Sequence, residues 1–221
     1  MEQITSRKNP LITHIRKLTT DRAYRRECGE FLGDGVKLLE EAVRWNASLT
    51  CVVHTAGTVL PDLPDGVRVV QVPEDVMGSI SPMKTPQGAL FLCHMSEQEA
   101  PDKLTGQRYL VLDGLQDPGN VGTVWRTADA LGADGLLLTG ECADPWNWKT
   151  VRATMGACFR LPVYEVKRQA LPALLEQSGL PLYATALRED TVDVREVSLS
   201  NAAVIIGSEG TLALISDITL K

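Results

Sequence analysis

Residues 109–130, YLVLDGLQDPGNVGTVWRTADA, constrain the fold of this chain more than any other stretch. Tyr109-Leu110-Val111-Leu112 is a short, branched apolar run that reads as a buried strand. Asp113-Gly114 breaks it, and Asp117-Pro118-Gly119-Asn120 forces a turn: Pro118 fixes φ, Gly119 permits a left-handed residue, and the two polar side chains can bond nearby amides. A helix then follows, with Asn120 as its expected N-cap, Val121, Val124, Ala128 and Leu131 on one face, and Gly132 as its stop. Arg126 lies nearly two turns into it. Strand, polar turn and helix in this order make an edge of a parallel α/β sheet, where ligands gather beyond the carboxyl ends of strands.

The same alternation extends over the second half of the chain. Strands are expected at 135–139, 161–166, 182–187 and 201–206, helices around Lys149 and Arg152 and at 169–177, and a loop at 142–148. Short strand–helix units of this kind give a parallel sheet covered on both faces. In the first half, Asn9-Pro10 opens an amphipathic helix with Leu11, Ile12, Ile15 and Leu18 inward. A second helix is expected over 36–45 with Val36, Leu39 and Val43 inward, strands at 50–54, 67–72 and 89–94, and a short helix at 74–79. Residues 96–107 are polar, contain Pro101 and Gly106, and read as a linker. The expected division is a first domain at 1–95 and a second at 108–221, and 221 residues suffice for both cores.

Charge is informative through its distribution. The net charge of −6 argues against indiscriminate nucleic-acid binding. Yet Arg7, Lys8, Arg16, Lys17, Arg22, Arg25 and Arg26 crowd the first 26 residues against only Glu2 and Asp21. Phosphate attraction is local, so such a patch suits guided RNA contact; a solvated helix face is the plainer alternative. The five cysteines are scattered singly with no C-x-x-C, so neither a zinc site nor a disulfide framework is indicated, and buried thiols in a reducing, cytoplasmic compartment are expected. No apolar run reaches membrane-spanning length, and residues 1–4 begin no signal-peptide core.

Three motifs converge on one family. Asn120, Gly122, Arg126 and Ala128 after Asp117-Pro118-Gly119 resemble the first motif of the SpoU/TrmH-type RNA ribose 2′-O-methyltransferases, the SPOUT class. Lys149, Arg152, Thr154, Gly156 and Ala157 resemble its K-x-x-R-x-S-x-G-A segment, with Thr in place of Ser. The strand 203–206 followed by Gly207-Ser208-Glu209-Gly210 resembles its second motif. Phe31 to Gly35 is similar to the F-x-x-E-G lead-in of the family's N-terminal module, with Asp34 where Glu is usual. The resemblance implies a small L30e-like RNA-binding domain followed by a parallel-sheet α/β SPOUT domain.

It also implies S-adenosylmethionine as cofactor and a ribose 2′-hydroxyl of rRNA or tRNA as methyl acceptor. The sulfonium is already a good electrophile, so the transfer needs no metal, and the obstacle is the poorly nucleophilic hydroxyl. The resemblance assigns Arg126 to its activation, with Asn120 and Glu209 as polar partners. A guanidinium keeps its proton, so electrostatic lowering of the hydroxyl's pKa is the expected mode, a phosphate or water taking the proton. Gly207 matches the close backbone approach to the cofactor; Thr185, Ala186 and Leu187 are expected to line the adenosine pocket. Arg7, Lys8, Arg16 and Lys17, with Lys149 and Arg152 spaced i and i+3, are the expected RNA contacts. Trp146 and Trp148 either stack on a base or cover a sheet edge or dimer surface.

After Gly210 the family pattern continues through a third motif that completes a trefoil knot and a homodimer interface. Residues 211–221 resemble only the approach to it. The expectation is a C-terminally truncated SPOUT domain with an incomplete knot and a homodimer interface in doubt. A non-catalytic RNA-binding relative, or an inactive fragment that has lost the cofactor site, is the alternative. An unrelated nucleotide-binding protein lacks the glycine-rich phosphate motifs it would need.

Overall fold

The computed structural model describes residues 2–96, 99–185 and 193–207. In chain order the elements are β1 (Glu2–Gln3), α1 (Pro10–Thr20), α2 (Arg22–Cys28), β2 (Glu30–Asp34), α3 (Val36–Arg44), β3 (Leu49–His54), β4 (Arg68–Gln71), α4 (Glu74–Ile80), β5 (Ala89–His94), β6 (Arg108–Asp113), α5 (Pro118–Ala130), β7 (Gly135–Thr139), α6 (Trp148–Ala153), β8 (Val163–Glu165), α7 (Leu171–Ser178), β9 (Leu182–Ala184) and β10 (Ala202–Gly207). The chain divides into two compact units. One comprises Met1–Ser96 with Asp144–Arg160, the other Glu97–Ala143 with Leu161–Lys221.

In the first unit the described strands form a mixed sheet in the order β1-β4-β3-β5-β2, parallel except where β5 runs against β3 and β2. The expected stripe of α1 is buried: Leu11, Ile12, Ile15 and Leu18 pack with Leu32, Cys51, Val53, Val70 and Leu90. Asn9 caps α1 by accepting from the Leu11 amide at 2.9 Å. Helix α3 turns Leu38, Leu39 and Ala42 inward, so of the three residues expected there Leu39 is buried while Val36 and Val43 are only half-buried. Helix α2 and strand β1 escape the sequence pattern because one is seven residues long and the other two.

Residues Asp144–Arg160 pack with this first unit, whereas the expected boundary put them with the second domain. The reason is side-chain chemistry. Trp146 is buried with its ring centroid 4.6 Å from that of Phe31, which excludes it from base stacking. Asp144 is gripped by Arg25, whose Nε and Nη2 donate to Oδ2 at 3.0 and 2.5 Å. Arg25 is therefore an internal cation, although the sequence groups it with the basic patch. Breaking a buried pair strands the surviving charge and costs about 3–5 kcal/mol, whereas replacing both partners by apolar residues is often close to neutral. Arg25→Met is expected to lose stability of that order in urea unfolding, and Arg25→Met with Asp144→Leu to recover most of it.

In the second unit the described strands form a wholly parallel sheet in the order β8-β7-β6-β10-β9. One face buries Val111, Leu137, Ala203 and Ile205 with Leu171, Leu174 and Leu175 of α7. Alternation along each strand turns Leu112, Leu136 and Leu138 to the opposite face, the side taken by α5.

Candidate active site

The site is built where β6 passes into α5. Pro118 at the first helical position forces the preceding residue to be extended. Asp117, at φ −82° and ψ 120°, is thus the N-cap, its Oδ1 accepting from the Asn120 amide at 2.7 Å. This corrects the expectation that Asn120 caps the helix. Asn120 lies in the first turn with its side chain exposed. The inward face also differs: Val121, Gly122, Trp125 and Ala128 are buried, Val124 is half-buried, and Leu131 is 74% exposed. The largest apolar side chain wins the core, and Trp125 can do so because its Nε1 donates to the Leu161 carbonyl at 3.1 Å. With Trp125 inward, Arg126 is rotated by one helical step into solvent. It is exposed and makes no hydrogen bond or ion pair among the described residues. Trp125→Ala is expected to destabilise the second unit by about 3–5 kcal/mol, measured by urea unfolding, because α5 loses its anchor to the sheet.

Beside this turn the strand ends converge. Gly207 at the end of β10 is the register partner of Asp113 at the end of β6, and Asp113 is in turn opposite Thr139 of β7. Thr185 follows β9 and fastens to β10, its amide and hydroxyl both donating to the Ile205 carbonyl at 3.2 Å. Asp113 is fully buried; Arg168 donates to its Oδ1 from Nε at 3.1 Å and Nη2 at 2.6 Å. Among the described residues its Oδ2 and the Thr139 Oγ1 are buried without partners. Sequence reasoning saw Asp113 only as a strand breaker and passed over Thr139 and Arg168. The available signal was two polar residues, Asp113 and Thr139, each ending an apolar strand. Glu209, Ala186 and Leu187 lie outside the described residues, as does the segment on which the knot expectation rests.

The expected RNA contacts fall in the first unit, and the structure divides them. Lys8 and Lys149 are exposed, and Arg7 is half of an exposed ion pair with Asp75 at 2.9 Å. Arg16 already donates to the carbonyl and hydroxyl oxygens of Ser79, and Lys17 Nζ sits 4.9 Å from the Tyr24 ring centroid. Trp148 is half-buried, with Lys149 Nζ 5.6 Å from its ring centroid.

Arg152, whose Nη1 meets Met83 Sδ, lies within electrostatic reach of a buried carboxyl. Asp34 accepts from Ser81 Oγ at 3.1 Å on Oδ2, while its Oδ1 has no partner among the described residues. Burial pushes the Asp34 carboxyl above its ordinary value, the Ser81 bond and the Arg152 charge pulling the other way. The folded state therefore holds this proton more tightly than the unfolded chain, and the stability it carries at acid pH is lost as pH rises through the folded value. Asp34→Asn removes that loss, so the variant is expected to gain stability relative to the native chain between pH 4 and pH 7 in paired urea titrations.

The SpoU rRNA Methylase family profile matches residues 107–211, and that of an MRM3-like substrate binding domain matches 9–90. The Bacillus subtilis 23S rRNA (guanosine(2553)-2'-O)-methyltransferase RlmP is 34% identical over 215 residues, covering 95% of this chain and 84% of that protein. The chain belongs to the SpoU rRNA methylase family. An AdoMet-bound rRNA methyltransferase from Sinorhizobium meliloti superposes with a TM-score of 0.81 at 29% identity, over 98% of this chain and 85% of that one. Human mitochondrial rRNA methyltransferase 3 is 30% identical over 162 residues, covering 69% of this chain but 39% of that protein. The chain is thus an S-adenosylmethionine-dependent RNA ribose 2′-O-methyltransferase of the SPOUT fold, and the non-catalytic alternative is not favoured.

Proposed function

We propose that the chain methylates a ribose 2′-hydroxyl of large-subunit ribosomal RNA, with Arg126 as the group that activates the hydroxyl. The observation that carries this reading is Arg126, exposed and without a partner among the described residues, on a helix whose rotation is fixed by Trp125 and which starts just beyond the strand end paired with Gly207. Likeness to RlmP over most of both chains favours 23S rRNA over tRNA. The residues at the strand ends fit the cofactor: a glycine allows close backbone approach, and two buried polar atoms lack partners that a hydroxyl-rich ligand can supply.

When bound, S-adenosylmethionine supplies a methyl group on a sulfonium, which is electrophilic without further activation. What this chain must do is make an oxygen nucleophile. A fixed positive charge beside the 2′-hydroxyl stabilises the developing oxyanion and lowers the hydroxyl's pKa. Arg126 keeps its own protons throughout, so the hydroxyl proton leaves to an RNA phosphate or to water. The second unit contains no histidine, since His14, His54 and His94 all precede residue 97. Asn120 has both a donor and an acceptor for the substrate ribose or phosphate, and Glu209 is assigned to orienting Arg126. Gly207 and residues 185–187 are assigned to the cofactor. In the first unit, Lys8, Lys149 and Arg7 are the basic side chains best placed to meet phosphate, with Arg16, Lys17 and Arg152 in supporting positions. The same reading carries the homodimer of the family, checked by sedimentation, and a cytoplasmic location, which the unpaired cysteines support.

Labelled methyl transfer to unmodified 23S rRNA and to bulk tRNA tests the proposal. The rRNA is expected to accept label and tRNA not. Arg126→Ala is expected to lose at least about a hundredfold in rate while still binding S-adenosylhomocysteine, as removal of a transition-state charge donor does. Full activity in Arg126→Ala contradicts the assignment.

A further inference from the structure

Asp113 and Thr139 do more than end their strands. As register partners on parallel strands about 4.8 Å apart, their side chains leave the sheet on the same face. Among the described residues the Asp113 carboxylate is held by one oxygen only: Arg168 closes on Oδ1 and leaves Oδ2 without a donor. Thr139 Oγ1, beside it, also has no partner among the described residues, and both residues are almost completely shielded, at 0% and 1% exposure. Buried polar groups in native proteins nearly always find partners, so an unfilled acceptor next to an unfilled hydroxyl is a demand for a ligand or a water.

The surroundings select the ligand's chemistry. Arg168 already balances the Asp113 charge, so a second cation, such as the cofactor's ammonium or sulfonium, would meet the guanidinium's repulsion; a neutral donor fits. A carboxylate oxygen that only accepts, beside a hydroxyl that accepts and donates, is matched by two adjacent hydroxyls. Internal RNA nucleotides lack that pair, because their 3′-oxygen is esterified; a free nucleoside ribose has it. The backbone makes room for the arrangement at Gly140. Its φ is +65°, and a Cβ there would fall 2.7 Å from Asp113 Oδ1 and 2.8 Å from Arg168 Nη2. Gly207, assigned to the cofactor, is the neighbour of Asp113 on the other side.

We propose that Asp113 and Thr139 form a subsite for the vicinal ribose hydroxyls of the cofactor, with Arg168 as the positioning residue that holds the carboxylate in place. The proposal rests on the assignment of this sheet edge to S-adenosylmethionine.

The test is calorimetric titration of S-adenosylhomocysteine and its 2′-deoxy and 3′-deoxy ribose analogues into the native chain, Asp113→Asn, Thr139→Val and Thr139→Ser. The native chain is expected to bind the parent compound and to lose about 10- to 100-fold with at least one deoxy analogue. Thr139→Val, which leaves the Asp113–Arg168 pair intact, is expected to lose about tenfold for the parent and to show little further loss for that analogue. Thr139→Ser should restore binding. Should Asp113→Asn fail to fold by circular dichroism, the Thr139 variants carry the comparison alone. Native-like affinity and undiminished discrimination in folded Thr139→Val would overturn the proposal and assign the two atoms to an ordered water. Unchanged cofactor affinity with weakened RNA binding would overturn it in favour of a substrate contact. No binding of S-adenosylhomocysteine by the native chain would instead sink the underlying assignment of the site.

Discussion

Burial of Trp125 fixes the direction of its neighbour on α5 through geometry alone. An α-helix advances about 100° per residue, so once one residue is pinned to the sheet its successor has little freedom in where it points. Trp125 is fully buried and its indole N–H is paired with the Leu161 carbonyl, which makes the inward orientation stable rather than merely apolar. Arg126 then faces solvent from the middle of α5. The start of that helix is fixed independently by Pro118 and the Asp117 cap. The cation proposed to activate the hydroxyl is thus positioned by a core residue, a proline and a cap, none of which needs to touch substrate.

The two units divide the work along lines that the charge distribution already drew. The second unit brings a parallel sheet edge, a glycine-ended strand and a guanidinium that has no partner among the described residues. The first brings the basic side chains, though fewer of them are available than their count implies. Arg25 is consumed internally by Asp144, Arg16 by Ser79, and Arg152 stands near the buried Asp34. A protein of net charge −6 that binds RNA must rely on local positive groups, because exposed charges farther apart than about 8–10 Å are screened at physiological salt. Lys8 and Lys149 are exposed, and Arg7 is tied only through an exposed pair, which contributes little to stability and can be exchanged for phosphate.

Much of this was legible in the residues. The parallel sheet, α5 and the buried stripe of α1 follow from apolar periodicity, and β5 and β7 fall where their runs predict. What failed did so for identifiable reasons. Counting apolar residues gave Val124 and Leu131 the same weight as a tryptophan and so misjudged the face of α5. Asn120 and Asp117 are both good caps, and only the constraint that Pro118 places on its predecessor separates them. The packing of residues 144–160 depends on Arg25 and Phe31, more than a hundred positions earlier, which no local pattern reveals. Asp113 and Thr139 were hidden for the opposite reason: a polar residue closing a strand is so ordinary that its lack of a partner becomes visible only in three dimensions.

The most direct measurement is alkaline hydrolysis of ribosomal RNA after incubation with the protein and S-adenosylmethionine. Alkali cleaves the backbone through attack by the 2′-hydroxyl, so a methylated ribose leaves one resistant linkage in an otherwise continuous ladder. A single resistant position is expected in unmodified 23S rRNA, appearing with the native chain and absent with Arg126→Ala. Methyl label incorporated into RNA whose ladder remains unbroken would place the methyl on a base, and would contradict a site built to activate a ribose hydroxyl.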